Sequence, residues 1–165
     1  MDRLLVECFL ESYREPPTEI WLDLDATDDP IHGQQEGRFF HGYYGGYGYL
    51  PRDIFCAEHL LCARLRPADI DACGGSVEEL RHLIGQIRAR WPTPRIGIRG
   101  DPGFCREAIM AWCEAQGVDF VLGLAKNARL LTAGLYAHVQ AQIDFLESGE
   151  PSRVFCECNY QTLDT

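Results

Sequence analysis

Two aspartates of this chain stand where short apolar strands are expected to end, a position suited to binding a divalent cation. The first, Asp25, closes residues 20–25, in which apolar side chains alternate with others that include Asp23. At the strand period of two, these two carboxylates share one face. The second, Asp101, follows the β-rich residues 95–100 and precedes a Pro-Gly turn. A carboxylate at the end of an apolar strand is costly unless a cation meets it, so a metal ion would stabilise both.

Paired carboxylates of this kind suit phosphodiester chemistry. Mg²⁺ or Mn²⁺ relieves the repulsion between two acids through oxygen ligands, and Mg²⁺ keeps waters that phosphate oxygens can replace. Two such ions about 3.5–4 Å apart can activate a hydroxyl nucleophile and stabilise the leaving oxygen of an in-line displacement. Asp25 would bridge the ions and Asp101 would hold one, with a third acid completing the ligand shell of the second ion. Asp23 is the alternative to Asp25 because the two share a face.

Length and composition indicate a single globular domain. The chain has 165 residues, of which 46% are hydrophobic and 24% charged. It contains no run of eighteen apolar residues, and its first residues do not lead into a signal-peptide core. We therefore expect a cytoplasmic protein without a membrane partner. The net charge of −10 argues against autonomous DNA binding through a broad basic surface.

The eight cysteines favour reduced thiols over disulfides. Six of them lie scattered within apolar patterns, where a free cysteine behaves as a small buried hydrophobe. The other two, Cys156 and Cys158, form a C-x-C pair that lacks the two further nearby ligands of a zinc site.

Hydrophobic spacing predicts the order of the secondary-structure elements. A helical repeat of apolar residues indicates helices, alternation or a short apolar run indicates strands, and Pro or Gly marks the ends. We expect a helix over residues 3–11, strands over 20–25, 50–57 and 60–65, a helix from Ser76 to near Trp91, a strand over 96–99, a helix from Phe104 to Gly117, a strand over 118–124, a helix over 126–147 and a strand over 154–160. Ser76 and Glu79 have the spacing of a capping box.

Residues 33–48 alternate glycines with aromatic side chains, which indicates a hairpin-like excursion or a mobile loop. An aromatic meander packed on the sheet is the favoured interpretation, and a platform for stacking nucleic-acid bases is the alternative.

The element order predicts the fold. Three antiparallel strands followed by alternating helices and strands is the order of the RNase H-like α/β fold, a mixed five-stranded sheet flanked by helices. In that architecture the first strand is central and the fourth lies beside it. Asp25 and Asp101 would then face each other at the edge of the sheet.

Five segments of the chain carry a resemblance to a known family: residues 23–30 (DLDATDDP), 33–44 (GQQEGRFFHGYY), 60–67 (LLCARLRP), 99–105 (RGDPGFC) and 121–127 (VLGLAKN). Together they resemble the DDE transposases of bacterial insertion sequences, specifically the IS-thirteen-eighty-type branch. The resemblance implies an RNase H-like catalytic domain that cuts and joins DNA at inverted repeats using Mg²⁺ (or Mn²⁺).

This resemblance assigns the first two acids of the family's catalytic triad, as metal ligands, to Asp25 and Asp101. Asp-Ala-Thr stands in place of the usual Asp-Gly-Thr at the first. The third acid, a glutamate on a helix after an inserted β-rich segment, has no matching motif. The resemblance thus implies an upstream helical region ending at 1–17, a catalytic core at 18–147 and the start of a truncated insertion at 148–165, leaving the fold incomplete at its C-terminus.

The first functional hypothesis is a transposase fragment that is inactive alone because its third acid is missing. Its partners would be the DNA of insertion-sequence ends and intact transposase subunits. Two alternatives stay open: a non-catalytic remnant that binds DNA or transposase, and a stand-alone metal-dependent nuclease whose last acid is Glu147 or a neighbour.

Several other charged residues are weaker candidates. Solvated carboxylates are the favoured interpretation of four acids that might supply the third ligand: Glu147, Glu150, Glu157 and Asp164. Guanidinium groups offer a bidentate fork to phosphate oxygens, so four arginines are candidates for DNA contacts: Arg38, Arg52, Arg99 and Arg106. Arg99 has the best claim, two positions before Asp101.

Overall fold

The structure is a computed structural model that describes residues 2–42 and 45–161. The chain forms two compact units, Met1–Leu124 and Ala125–Thr165. The first unit contains α1 (Asp2–Ser12), β1 (Glu19–Ala26), β2 (Asp29–Pro30), β3 (Phe39–His41), β4 (Gly46–Tyr49), β5 (Arg52–Cys56), β6 (His59–Arg64), α2 (Ser76–Arg90), β7 (Arg95–Gly100), a 3₁₀ helix (Pro102–Phe104), α3 (Glu107–Gln116) and β8 (Asp119–Leu122).

The main sheet of the first unit has five strands in the order β6-β5-β1-β7-β8. Strand β1 is central and runs antiparallel to β5 and parallel to β7, while β5–β6 is antiparallel and β7–β8 parallel. Helix α3 makes the crossover between the parallel strands β7 and β8, as parallel neighbours require. The predicted RNase H-like sheet is confirmed, with the first strand at its centre and the fourth beside it.

The alternation predicted for β1 is present. Ile20, Leu22 and Leu24 are buried, whereas Asp23 is partly exposed and Asp25 is exposed. The buried residues join one hydrophobic core with the apolar faces of α1, α2 and α3. Because the apolar face fixes which way β1 lies, both of its aspartates point away from this core.

The capping box predicted at the start of α2 is wrong, although the helix itself is present. The N-cap is Gly75 in the left-handed region at φ 76°, and no side chain caps it. Ser76 instead accepts a hydrogen bond from Arg52 Nη1 at 2.7 Å, and Glu79 accepts one from Arg64 Nε at 2.7 Å. The side chains of Ser76 and Glu79 are therefore hydrogen-bonded to arginines distant in sequence and do not cap the helix.

The segment after β1 forms a small second sheet in the order β2-β4-β3. The hairpin expectation is confirmed, and the expectation that its aromatics pack on the main sheet is wrong. Phe39, Phe40 and Tyr47 are 42%, 53% and 52% exposed. Tyr43 and Tyr44, which belong to the same predicted segment, lie outside the described residues.

The second unit contains α4 (Ala128–Ala133) and α5 (Leu135–Ser148). The single helix predicted over 126–147 is thus divided at Gly134, and its apolar stripe is exposed rather than buried. The strand predicted over 154–160 is wrong, since these residues have no regular structure. None of the helices in the described part of the chain has the length and apolar character that a bilayer-spanning segment requires.

Candidate active site

The carboxyl ends of β1 and β7 bring the two predicted acids together. In this parallel pair Asp23 lies opposite Arg99 and Leu24 opposite Gly100. Continuing the register by one residue places Asp25 beside Asp101, and neighbouring strands are about 4.8 Å apart. Asp25 of β1 and Asp101, which directly follows β7, therefore lie at the same end of two neighbouring parallel strands. Their role as metal ligands stays a prediction.

The turn after β7 fixes the side chain of Asp101. This residue is the N-cap of the 3₁₀ helix, and its Oδ1 accepts a hydrogen bond from the Gly103 N–H at 2.8 Å. A Cβ on Gly103 would stand 2.9 Å from that oxygen, so a residue with a side chain would displace the carboxylate. Within the described residues, Oδ2 of Asp101 has no hydrogen-bond partner. The turn thus orients the carboxylate and leaves one oxygen for a ligand.

Asp25 is exposed and makes one weak hydrogen bond. Thr27 Oγ1 donates to its Oδ2 at 3.4 Å. Its Oδ1 has no hydrogen-bond partner in the described chain. Each of the two acids therefore keeps an oxygen that a metal ion can bind.

Asp53 is a third carboxylate beside the site, and sequence reasoning missed it. It lies directly opposite Asp25 in the antiparallel pair of β1 and β5, so both side chains are on one face. Burial raises the pKa of Asp53, and the negative charge of Asp25 raises it further. The signal that could have identified it is the register of the first two strands, which the sequence pattern left undefined.

Arg99 distinguishes Asp23 from Asp25 by its hydrogen bonds. The guanidinium of Arg99 donates from Nε to Asp23 Oδ1 at 2.6 Å and from Nη2 to Oδ2 at 2.7 Å. This hydrogen-bonded contact raises the pKa of Arg99. Both oxygens of Asp23 are thus engaged, which favours Asp25 as the ligand. The same pairing uses the fork of Arg99 that was predicted to contact phosphate.

The remaining arginine candidates divide by burial. Arg52 is 2% exposed and donates to Ser76 and the Gly74 carbonyl, so its prediction as a phosphate contact is wrong. Arg106 donates from Nη2 to Asp71 Oδ2 at 2.8 Å. Arg38 is partly exposed, and its Cζ lies 4.9 Å from the centre of the Tyr47 ring.

The loop between β6 and α2 supports the Asp101 turn. Arg66 is buried and donates to the carbonyls of Ala72 at 3.0 Å and Gly74 at 3.2 Å. Hydrogen bonds from Cys73 and Arg106 lower the pKa of Asp71 to about 2 against the opposing effect of burial. The pair of Asp71 and Arg106 therefore ties this loop to the segment that follows Asp101.

The donor set fits an open magnesium site rather than a closed metal cage. Within residues 2–42 and 45–161, no three His, Cys, Asp or Glu side chains converge on a point where they could hold an ion. Mg²⁺ commonly takes one or two carboxylates and completes its shell with water and phosphate oxygens. Asp25 and Asp101 would be the two carboxylates of such a site. The predicted alternatives Glu147, Glu150 and Glu157 are exposed, and Asp164 lies outside the described residues.

A mixed sheet with β1 at its centre and acids at the ends of two parallel strands defines the class of RNase H-like domains. The chain belongs to the Transposase DDE domain group 1 family, whose model matches residues 1–165. The predicted membership of the DDE transposases is thereby confirmed. No curated protein sequence matches the chain.

Solved structures with a similar fold include several of Mos1 transposase. The catalytic domain of Mos1 mariner transposase has 13% identity and a TM-score of 0.47, covering 89% of this chain and 70% of its own. The Mos1 paired-end complex with the left transposon end has 14% identity and a TM-score of 0.44, covering 92% and 48%. The Mos1 catalytic domain with raltegravir and Mn has 14% identity and a TM-score of 0.44, covering 94% and 73%. The chain thus spans 48–73% of these proteins' own length. Similarity at this level identifies neither a shared site nor a shared substrate.

Proposed function

We propose that this chain is the catalytic core of a DDE transposase acting on the DNA phosphodiesters of insertion-sequence ends in the cytoplasm. The observation that carries the proposal is the parallel pairing of β1 with β7, whose register, continued by one residue, places Asp25 beside Asp101 in a chain of the transposase family. In this proposal Asp25 and Asp101 hold Mg²⁺ or Mn²⁺. In this proposal the core takes in residues 18–147, preceded by the helical region at 1–17 and followed by residues 148–165.

The surrounding residues tune the charge at the two acids. The bidentate partner Arg99 neutralises Asp23, so that the uncompensated negative charge of β1 is at Asp25. Asp53, opposite Asp25, adds negative potential on the same face and favours a cation there. When bound, the ions supply activation of the attacking hydroxyl and stabilisation of the leaving oxygen.

Two carboxylates with waters suffice for one ion, whereas a second ion needs a further oxygen ligand. We therefore expect this chain to bind one metal ion through two carboxylates. Because the described residues form no cluster of three ligands, we expect it to lack strand-transfer activity alone. The third acid in this proposal comes from beyond the described residues or from an intact transposase subunit. That subunit and the DNA end are the proposed partners.

Metal titration tests the proposal. Electron paramagnetic resonance of free Mn²⁺ measures binding to the wild type, to Asp25→Asn and to Asp101→Asn, with the exposed Asp69→Asn as matched control. Losing one carboxylate from a site of two should weaken binding at least about tenfold, since a charged ligand contributes well over 1.4 kcal/mol. Asp69→Asn should bind like the wild type. Equal Mn²⁺ affinity in all four proteins would reject the catalytic assignment.

Plasmid nicking separates the two remaining alternatives. A stand-alone nuclease converts supercoiled DNA to the open circle in Mn²⁺, and Asp25→Asn abolishes the conversion. A non-catalytic remnant gives the same background as Asp25→Asn, whether or not it binds the ion.

A further inference from the structure

The small sheet presents a cation and two aromatic rings on one face. Phe40 of β3 lies directly opposite Tyr47 of β4, and their ring centres are 5.5 Å apart at an interplanar angle of 68°. Arg38, two residues before Phe40, places its Cζ 4.9 Å from the centre of the Tyr47 ring. We name the surface formed by Arg38, Phe40 and Tyr47 the ribbon face.

The ribbon face is built as a surface and contributes little to the core. Both aromatic side chains are about half exposed, and neither belongs to the hydrophobic core of the unit. The two strands contain no aliphatic side chain, since their residues are Phe-Phe-His and Gly-Tyr-Gly-Tyr. An interface for an apolar helix or strand commonly includes branched aliphatic residues, whereas stacking of flat rings needs only aromatic faces.

Backbone contacts fix the ribbon face in place. A Cβ on Gly48 would stand 2.5 Å from the Asp29 carbonyl oxygen, so this glycine permits the close pairing of β4 with β2. The Ile31 N–H donates to the Tyr47 carbonyl at 3.0 Å, and the Thr27 N–H donates to the Pro51 carbonyl at 3.1 Å. The hairpin is therefore tied to the end of β1 at more than one point.

The chain connects the ribbon face directly to the acids. Strand β2 begins at Asp29, four residues after Asp25, and a fully extended chain of that length spans at most about 14 Å. On the other side, β4 leads through Leu50 and Pro51 into β5, which carries Asp53. Tyr47 precedes Asp53 by six residues, so at about 3.5 Å per residue the two are at most about 21 Å apart, which is about six stacked nucleotides at 3.4 Å each.

We propose that the ribbon face stacks unpaired bases of the DNA strand that is held at Asp25 and Asp101. The proposal rests on the proposed function, because it identifies where that substrate's bases lie. Two aromatic faces accept bases without regard to sequence, and Arg38 adds a positive charge for the phosphate between them. A base inside a duplex is stacked on its neighbours and cannot present its face. The ligand is therefore single-stranded or overhanging DNA.

Fluorescence anisotropy tests the proposal with two labelled DNA duplexes in EDTA at low salt. One is blunt, and the other has the same sequence with an unpaired overhang of three thymines. Tyr47→Leu and Phe40→Leu keep an apolar side chain but remove the aromatic face, whereas Tyr47→Phe keeps it. Phe39→Leu is the matched control, since Phe39 pairs with Gly48 on the opposite face.

We expect the wild type to prefer the overhang duplex, and each of Tyr47→Leu and Phe40→Leu to weaken that binding about 5- to 150-fold. Tyr47→Phe, Phe39→Leu and binding to the blunt duplex should be unchanged. The proposal is overturned by a wild type without preference, by leucine variants that bind the overhang normally, or by equal loss on both duplexes. Tighter binding to an RNA overhang of the same sequence also overturns it.

Mn²⁺ binding by the wild type separates this proposal from the proposed function, because the overhang assay in EDTA measures stacking in the absence of any ion. Preserved stacking in a wild-type chain that binds no Mn²⁺ would reject the catalytic assignment and leave a DNA-binding module. Mn²⁺ binding without a preference for the overhang would reject base stacking on the ribbon face and would leave the proposed metal site unaffected.

Discussion

Asp53→Asn is expected to stabilise the metal-free protein, because it removes a carboxylate that faces Asp25. The two residues are directly opposite each other on β1 and β5, on the face that carries the proposed metal ligand Asp25. The raised pKa of Asp53 has two causes, burial first and then the charge of Asp25. Asparagine keeps the size and polarity of the side chain and removes the charge.

The magnitude follows from the separation of opposing residues in a sheet. Side chains at such positions have Cβ atoms about 5 Å apart, at which two unit charges repel by about 0.8 kcal/mol in water and about 3.3 kcal/mol at an effective dielectric of 20. Since Asp25 is exposed, the lower part of this range applies. We expect Asp53→Asn to raise the free energy of unfolding by about 1 kcal/mol at pH 7.

The pH dependence has a defined sign. A carboxyl whose pKa is raised on folding stabilises the fold when protonated, and this contribution is lost as pH rises through the folded-state pKa. The ordinary value is 3.8, so below it Asp53 is neutral in both states. The advantage of Asp53→Asn should therefore be present at pH 7 and disappear near pH 3.

Urea unfolding followed by tryptophan fluorescence measures the difference, because Trp21, Trp91 and Trp112 all belong to the first unit. Asp69→Asn, at an exposed position, is the matched control. Saturating Mg²⁺ should shrink or reverse the advantage, since the cation is stabilised by the charge that the variant lacks. Equal stability of the two variants at pH 7 would refute the repulsion on which this reasoning depends.

Two further predictions concern the turn after β7 and the loop beside it. In Gly100→Ala the new Cβ would stand 3.0 Å from the Cβ of buried Phe104, so we expect a loss of about 1–3 kcal/mol in urea unfolding and weaker Mn²⁺ binding at the adjoining turn. Gly85→Ala is its control, because a Cβ there meets nothing within 4 Å. The pKa of Asp71 is lowered from 3.8 to about 2, so its contribution to stability is present above pH 3.8 and is lost as pH falls towards 2. Arg106→Gln should make that loss smaller in unfolding measured across this range, and an unchanged profile would contradict the role of the ion pair.

The central strands could be predicted from the sequence because the residues that favour a strand locally also supply its buried face. Along β1 apolar and polar side chains alternate, so the strand can bury its apolar residues in one orientation only, with Leu22 inside and Asp25 outside. The order of strands and helices then restricts the topology to a mixed sheet with β1 beside β7. The neighbourhood of Asp25 and Asp101 follows from that topology without any knowledge of side-chain contacts.

The features that the sequence did not predict depend on partners distant in the chain. Asp53 becomes a neighbour of Asp25 only through the register of β1 with β5. Ser76 and Glu79 have the local spacing of a capping box, and the buried Arg52 and the partly buried Arg64 bind them instead. A strand also needs a partner, which is why β propensity over residues 154–160 did not produce one.

The central claim is that one divalent cation is shared by the ends of β1 and β7. Paramagnetic broadening of amide signals by Mn²⁺ measures this directly in the 18.7 kDa protein, because the effect falls steeply with distance from the ion. At substoichiometric Mn²⁺, the signals of Ala26 and Gly103 should broaden together in the wild type, and neither should broaden in Asp25→Asn. Broadening at only one of these strand ends, or at acidic residues elsewhere in the chain, would contradict the account.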